Sequence, residues 1–96
     1  AVVQHMPPVF TQHLAQRLDQ DCAIRVREAR EGDRLESGLA LIAPGDYHMA
    51  LVRQGTSVVV QLHQQPPENS CRPAVDVLFR TAAAVYGSGC LGVVLT

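Results

Sequence analysis

The chain has 96 residues, of which 47% are hydrophobic, and its formal net charge at pH 7 is −1. This length allows one small domain with a modest core, and the near-neutral charge argues against a nucleic-acid partner. No apolar run reaches the roughly 18 residues of a membrane span, so direct membrane insertion is not expected. No signal peptide is visible, and the absence of an initiator methionine predicts that the chain is a piece of a longer protein.

The amino-terminal part of the chain predicts a strand followed by a helix. The strand is expected near residues 1–5, where Val2-Val3 is apolar and Pro7-Pro8 then prevents the strand from continuing. The helix is expected over residues 9–21 because apolar residues recur at helical spacing. Its predicted buried face comprises Phe10, Leu14, Ala15 and Leu18.

The middle of the chain predicts two further parallel strands and an antiparallel hairpin. The strands are expected at residues 24–27 and 39–43. We interpret the charged segment between them, residues 28–38, as a solvated connection rather than a partner-docking loop. Alternation over residues 47–62, interrupted by the turn residues Gln54-Gly55-Thr56, predicts the hairpin.

The last third predicts a second helix and a final strand. Pro73 fits the first position of a helix that runs to Tyr86, and residues 90–95 are apolar enough for a buried strand. The buried stripe of the helix is predicted to comprise Val75, Leu78, Phe79, Ala82, Ala83 and Tyr86. The elements together predict an α/β fold, namely a partial, three-layer, doubly wound and mostly parallel sheet with an antiparallel hairpin.

His5 is the candidate catalytic residue. It follows the first predicted strand and precedes the first helix, and the carboxyl ends of strands are where open α/β sheets place their chemistry. The histidine side chain also suits a proton carrier near neutral pH. If the strands at 1–5 and 90–95 are parallel, His5 and Thr96 should leave the sheet at the same edge. The alternative is that His5 only caps a strand or hydrogen-bonds to a loop.

The residues themselves supply no clear partner for such a base. None of the serines, which are Ser37, Ser57, Ser70 and Ser88, lies in a Gly-x-Ser-x-Gly turn. Ser88 is expected at the opposite edge of the sheet from His5, and Asp76 is interpreted as complementing the dipole of its helix. The remaining histidines, His13, His48 and His63, share no metal-ligand spacing and are interpreted as surface or edge residues. No cofactor or metal site is predicted.

The three cysteines, Cys22, Cys71 and Cys90, form no Cys-x-x-Cys pair. An odd number without that spacing argues against a disulfide framework or a zinc site. We interpret all three as buried or half-buried structural thiols in a reducing, cytoplasmic setting.

Five blocks in order along nearly the whole chain carry a family resemblance. They are Gln4-His5-Met6-Pro7-Pro8-Val9-Phe10-Thr11, Val26-Arg27-Glu28-Ala29 with Glu31-Gly32-Asp33, Ile42-Ala43-Pro44-Gly45 with His48, Arg72-Pro73-Ala74-Val75-Asp76-Val77-Leu78-Phe79, and Leu91-Gly92-Val93-Val94-Leu95-Thr96. These blocks resemble the chemotaxis protein-glutamate methylesterases of the CheB family.

The resemblance implies a doubly wound α/β hydrolase with a Ser-His-Asp triad, in which His5 is the histidine. The family serine lies in a Ser-Thr-Gly-Gly segment before the first block, and its aspartate lies in a Gly-Met-Gly-x-Asp-Gly loop after the last block. Residues 1–96 are therefore expected to be the central part of the catalytic domain and to be inactive when isolated.

The resemblance also implies a substrate, partners and a location. Members hydrolyse glutamate methyl esters on the cytoplasmic helices of methylated chemotaxis receptors, and many also deamidate receptor glutamines. A receiver domain in the parent protein is the second implied partner, and the implied location is the cytoplasm.

Two other classes of function remain open at this stage. One is a non-catalytic α/β module that binds a receptor or a response regulator. The other is an unrelated small α/β binding domain in which His5 has only a structural role.

Overall fold

The structure, a computed structural model, describes residues 1–95 and confirms a mixed α/β fold with parallel and antiparallel strands. Its elements are α1 (Phe10–Asp21), β1 (Arg25–Glu28), β2 (Leu39–Ile42), β3 (His48–Gln54), β4 (Ser57–His63) and α2 (Val75–Tyr86), followed by a short 3-10 turn at Gly87–Gly89. Within the described residues, no helix is both long enough and apolar enough to cross a membrane.

The parallel sheet consists of β1, β2 and a single bridge to the amino terminus. β1 and β2 pair in the register that places Arg25 opposite Leu39. On the other edge of β2, the Val2 N–H donates to the Leu41 carbonyl at 2.8 Å, and the Ala43 N–H donates to the Val2 carbonyl at 2.9 Å. The first predicted strand is therefore a parallel neighbour of β2, but it is shorter than predicted.

The hairpin of β3 and β4 follows the prediction, and the Gln54–Ser57 pair closes its turn. Part of the charged segment before β2, however, is not a solvated connection. The Gly32 N–H donates to the Val60 carbonyl and the Leu35 N–H to the Val58 carbonyl, both at 2.9 Å. The segment pairs with β4 because the outer edge of that strand otherwise has unpaired backbone groups.

Side chains of β2 alternate between two packing layers. Leu41 points to the same core as Met49 of the hairpin and Leu78 of α2. Its neighbour Ile42 points the other way and packs with Ala15 of α1. The parallel sheet thus lies between α1 on one face and the hairpin with α2 on the other, which gives three layers.

The buried face of α1 differs from the predicted one. Phe10 is 55% exposed, whereas Thr11 is fully buried. The Thr11 hydroxyl donates to a carboxylate oxygen of Glu28 at 2.6 Å and accepts from the Gly45 N–H at 3.0 Å. The spacing of apolar residues predicts that Phe10 is buried, but these two hydrogen bonds place Thr11 on the buried face instead.

The start and buried face of α2 also differ from the predicted ones. The helix begins at Val75, and Pro73 precedes it in a buried position. Ala74 is the extended N-cap residue, and its N–H donates to Nδ1 of His48 at 3.2 Å. Ala83 and Tyr86 are exposed, since α2 packs on β3 through a face comprising Val77, Leu78 and Ala82.

The strand predicted at residues 90–95 is wrong within the described part of the chain. This segment has no strand pairing, and Leu91 and Leu95 are 86% and 91% exposed. It borders an open groove of about 500 Å³, with Val2 and Phe79 among the residues on the other side. An apolar run becomes a strand only where another strand meets its backbone groups. Thr96 lies outside the described residues, so the edge at which it leaves the sheet stays a prediction.

Replacing Thr11 with valine tests the anchoring of α1. Thr11→Val should lower the free energy of unfolding by about 1–3 kcal/mol, because the buried Gly45 N–H and the Glu28 carboxylate lose their partner. Urea denaturation followed by circular dichroism measures the change. Thr56→Val, the same substitution in the exposed hairpin turn, should change stability by less than about 0.5 kcal/mol. Equal losses in the two variants would show that these hydrogen bonds do not anchor α1.

Candidate functional site

His5 lies beyond the Val2 bridge, at the carboxyl end of the first strand, and its side chain is exposed. Because β1, β2 and the Val2 segment are parallel, their carboxyl ends meet at the same edge of the sheet. α1 begins shortly afterwards at Phe10. The sequence pattern thus predicted the placement of this imidazole between a strand and a helix.

A cleft of about 270 Å³ opens beside His5. One wall is the amino-terminal segment, and the other is the loop that leads into α2. The first wall comprises His5, Met6 and Pro7, and the second comprises Ser70, Cys71, Arg72 and Pro73. Two stretches far apart in the sequence therefore form one site.

Cys71 brings a thiol to the imidazole, with its Sγ 3.7 Å from Nδ1 of His5. It is half-buried, whereas Cys22 and Cys90 are exposed, so the prediction of three buried or half-buried thiols is wrong for those two. Sequence reasoning missed this neighbour because 66 positions separate the two residues. No spacing signal links them, and only the fold brings them together.

A tight turn presents Cys71 to the cleft. Glu68 and Cys71 exchange both backbone hydrogen bonds, at 3.0 and 3.1 Å. Asn69 and Ser70 between them have φ of 52° and 62°, the left-handed values of a type I′ turn. Two positive φ angles closed by a pair of hydrogen bonds leave the turn little freedom.

Two side-chain contacts fasten this turn to α2. The Asn69 amide donates to the Asp76 carboxylate at 2.6 Å. Arg80 donates to Glu68 at 2.8 Å, and this hydrogen bond lowers the pKa of the Glu68 carboxyl. Asp76 also lies in the first turn of α2, where a negative charge favours the helix dipole, as predicted.

Arg72 ties the second wall to the turn before β3. Its guanidinium donates to one carboxylate oxygen of Asp46 at 2.7 and 3.0 Å. It also donates to the Gln64 carbonyl at 3.1 Å. Arg72 thus connects the second wall to Gln64 and to the turn before β3. The carboxylate of Asp46 neutralises the charge of the arginine.

Gly45, next to Asp46, ties the first wall to the same turn. A methyl group on Gly45 would lie 2.5 Å from the carbonyl carbon of Pro7 and 2.8 Å from the carbonyl oxygen of Met6, and it would also collide with the nitrogen of Pro8. Only a residue without Cβ permits this approach of two backbones. The turn at residues 44–48 consequently touches both walls of the cleft.

His48 follows that turn as the first residue of β3, and it is fully buried rather than a surface or edge residue as predicted. The Ala74 N–H donates to its Nδ1 at 3.2 Å, and its Nε2 lies 3.1 Å from the Pro66 carbonyl oxygen. The ring of His63 is 5.3 Å away between centroids. The pKa of His63 is lowered, mainly by burial and secondarily by repulsion from the neighbouring His48.

The other predicted candidates lie in different surroundings. His13 is exposed on α1, with its ring edge-on to Phe10. Ser88 follows α2, whose twelve residues rise about 18 Å from the end beside the cleft. Ser70 lines the cleft itself, next to Cys71. Among residues 1–95, no group of three His, Cys, Asp or Glu side chains is arranged to hold a metal ion.

Comparisons with family models and with known proteins identify the same family. A family model described as CheB methylesterase matches residues 1–96. The protein-glutamate methylesterase/protein-glutamine glutaminase of Trichodesmium erythraeum is 61% identical over 95 residues, which are 99% of this chain and 27% of that protein. The protein of the same name from Salmonella typhimurium is 48% identical over 95 residues, with the same coverage. The chain therefore spans about a quarter of the length of these relatives.

A solved structure agrees with the fold. The crystal structure of the Thermotoga maritima CheB methylesterase catalytic domain superimposes with a TM-score of 0.89 at 44% sequence identity. The match covers 92% of this chain and 47% of that chain.

Replacing Gly45 with alanine tests the contact between the turn and the first wall. Gly45→Ala should displace residues 6–8 and change the ring signals of His5 in nuclear magnetic resonance (NMR) spectra. Gly89→Ala is the matched control, because a Cβ there meets nothing within 4 Å. It should leave the His5 signals in place. Unchanged His5 signals in folded Gly45→Ala protein would show that this contact does not set the cleft.

Proposed function

Because this chain belongs to the CheB methylesterase family, we propose that residues 1–96 form the central part of the catalytic domain of a protein-glutamate methylesterase. In this proposal His5 is the general base. The observation that carries it is the position of His5, which is exposed at the carboxyl end of a parallel strand and at the edge of a cleft. A base must reach both solvent and substrate, and the strand fixes its backbone.

The proposed reaction is hydrolysis of a glutamate methyl ester by a serine mechanism. His5 takes the proton of a serine hydroxyl as its oxygen attacks the ester carbonyl, and it returns that proton to the departing methoxide, which leaves as methanol. Water then cleaves the acyl-enzyme with the same imidazole as base, which frees glutamate and serine. Deamidation of glutamine would follow the same steps, with ammonia as the leaving group.

One ring nitrogen of His5 has a defined neighbour, and this supports separate roles for the two nitrogens. Nδ1 faces the Cys71 thiol at 3.7 Å. Nε2 is on the opposite edge of the ring, and we assign the proton transfer to it. The serine and the orienting aspartate of the triad would come from segments outside these 96 residues.

We further propose that the substrate is the methylated cytoplasmic helices of chemotaxis receptors and that the enzyme works in the cytoplasm. The partner within the parent protein would be a receiver domain. These assignments rest on family membership. The accessible cleft is compatible with a macromolecular substrate, since a side chain on a helix can enter it from solvent.

The isolated chain should be catalytically silent. Incubated with methylated receptor, it should release no methanol above background, because a base without its nucleophile has nothing to activate. Circular dichroism confirms that the chain tested is folded. Methanol release that disappears in His5→Gln would show instead that a nucleophile within the chain suffices, and Cys71→Ser would then identify or exclude the nearby thiol.

In the protein encoded by the complete reading frame, His5→Gln should lower kcat for ester hydrolysis by about 10⁴-fold or more, the scale seen when a triad member is removed. Folding should be unaffected because the side chain is exposed. His13→Gln, at an exposed histidine of α1, is the control and should retain activity. Near wild-type turnover by His5→Gln would overturn the assignment of His5 as the base. Absence of turnover in the unsubstituted complete protein would instead favour a non-catalytic binding module.

A further inference from the structure

His48 has a hydrogen-bonding arrangement that defines its tautomer. A backbone N–H can only donate, so Nδ1 accepts from Ala74 at 3.2 Å. The ring hydrogen therefore sits on Nε2 and is donated to the Pro66 carbonyl at 3.1 Å. Both nitrogens of a fully buried ring are satisfied, and each partner is a backbone group. Loss of the ring would leave the buried Ala74 N–H without its partner and would free the Pro66 carbonyl.

The two partners of His48 stand at the two ends of one segment. Pro66 precedes the turn that presents Cys71, and Ala74 is the cap of α2. Between them lies the whole second wall of the cleft, residues 70–73. One buried ring thus fixes both ends of the loop that places a thiol against His5.

The ion pairs that this loop makes with neighbouring elements are weaker anchors than His48. Arg72 is held by Asp46, and Glu68 by Arg80, but the members of both ion pairs are partly or largely exposed. Exposed ion pairs hold their partners weakly because water competes for both charges. The hydrogen bonds of the fully buried His48 ring are therefore the stronger restraint on the wall.

We propose that His48 is a positioning residue for His5. It acts through the loop at residues 66–74, which brings Cys71 against Nδ1 of the imidazole and so sets the orientation of the ring. The proposal rests on the proposed function only in naming His5 as the base. The orientation of the His5 ring can be measured without any assay of hydrolysis.

The test compares three variants of the chain. His48→Phe keeps a ring of similar shape and removes both hydrogen bonds. His48→Asn retains an acceptor near the position of Nδ1 and loses only the bond to Pro66. His63→Phe, on the neighbouring ring 5.3 Å away, is the matched control because its own contact is with the exposed backbone of Gln65.

Two measurements are made at a temperature where circular dichroism shows each variant to be folded. The first is the ¹⁵N chemical shift of both His5 ring nitrogens. The second is the alkylation rate of Cys71 by iodoacetamide, relative to Cys22 and Cys90, which are exposed and serve as internal references. A role confined to global stability would move neither readout in folded protein.

His48→Phe should shift the His5 ring nitrogens and raise the relative alkylation of Cys71 by about tenfold or more, since unmade buried hydrogen bonds favour local opening of the loop. His48→Asn should show a smaller change of the same kind. His63→Phe should stay within about twofold of the wild-type ratio, the range of ordinary surface substitutions.

If His48→Phe does not fold, His48→Asn carries the test. Unchanged His5 shifts and unchanged Cys71 alkylation in a folded His48 variant would overturn the proposal. This failure is distinct from failure of the proposed function, which is decided by the activity of His5→Gln in the complete protein. His48 could position His5 even if His5 were not the base.

Discussion

The contact of Gly45 with the backbone of residues 6–8 is the constraint on which the rest of the site depends. Two backbone segments can approach so closely only where one residue lacks a Cβ. The contact fixes the segment that follows His5 against the turn before β3. The same turn reaches the other wall of the cleft through Asp46 and His48. One small turn therefore sets the distance between the imidazole and the loop that faces it.

The hydrogen bonds of two buried side chains hold the walls of the cleft more firmly than the exposed ion pairs do. Thr11 and His48 are fully buried, and each uses its polar atoms on two partners. Leaving such groups unpaired costs about 1–3 kcal/mol each. The exposed pair of Arg80 with Glu68 contributes little to stability, because water and salt screen it. The rigidity of the site thus comes from its polar interior.

The family assignment and the geometry of His5 support each other but rest on different grounds. Membership follows from the match over residues 1–96, and it says nothing about where a side chain points. The structure places His5 at a strand end with Nδ1 towards Cys71, and this observation does not depend on the family match. The thiol is a feature of this chain that the general triad chemistry does not require. It gives the imidazole a defined neighbour and makes its surroundings measurable.

Periodicity and turn chemistry in the sequence by themselves determined the α/β class, both helices, the hairpin and the position of His5 after a strand, because these follow from local spacing. Tertiary structure alone decided that Thr11 replaces Phe10 inside and that His48 is buried, since a polar side chain goes inside only when distant partners satisfy it. It also decided that residues 90–95 form no strand in the described chain. A strand requires a neighbouring backbone, and the apolar pattern of a segment carries no information about whether that neighbour is present.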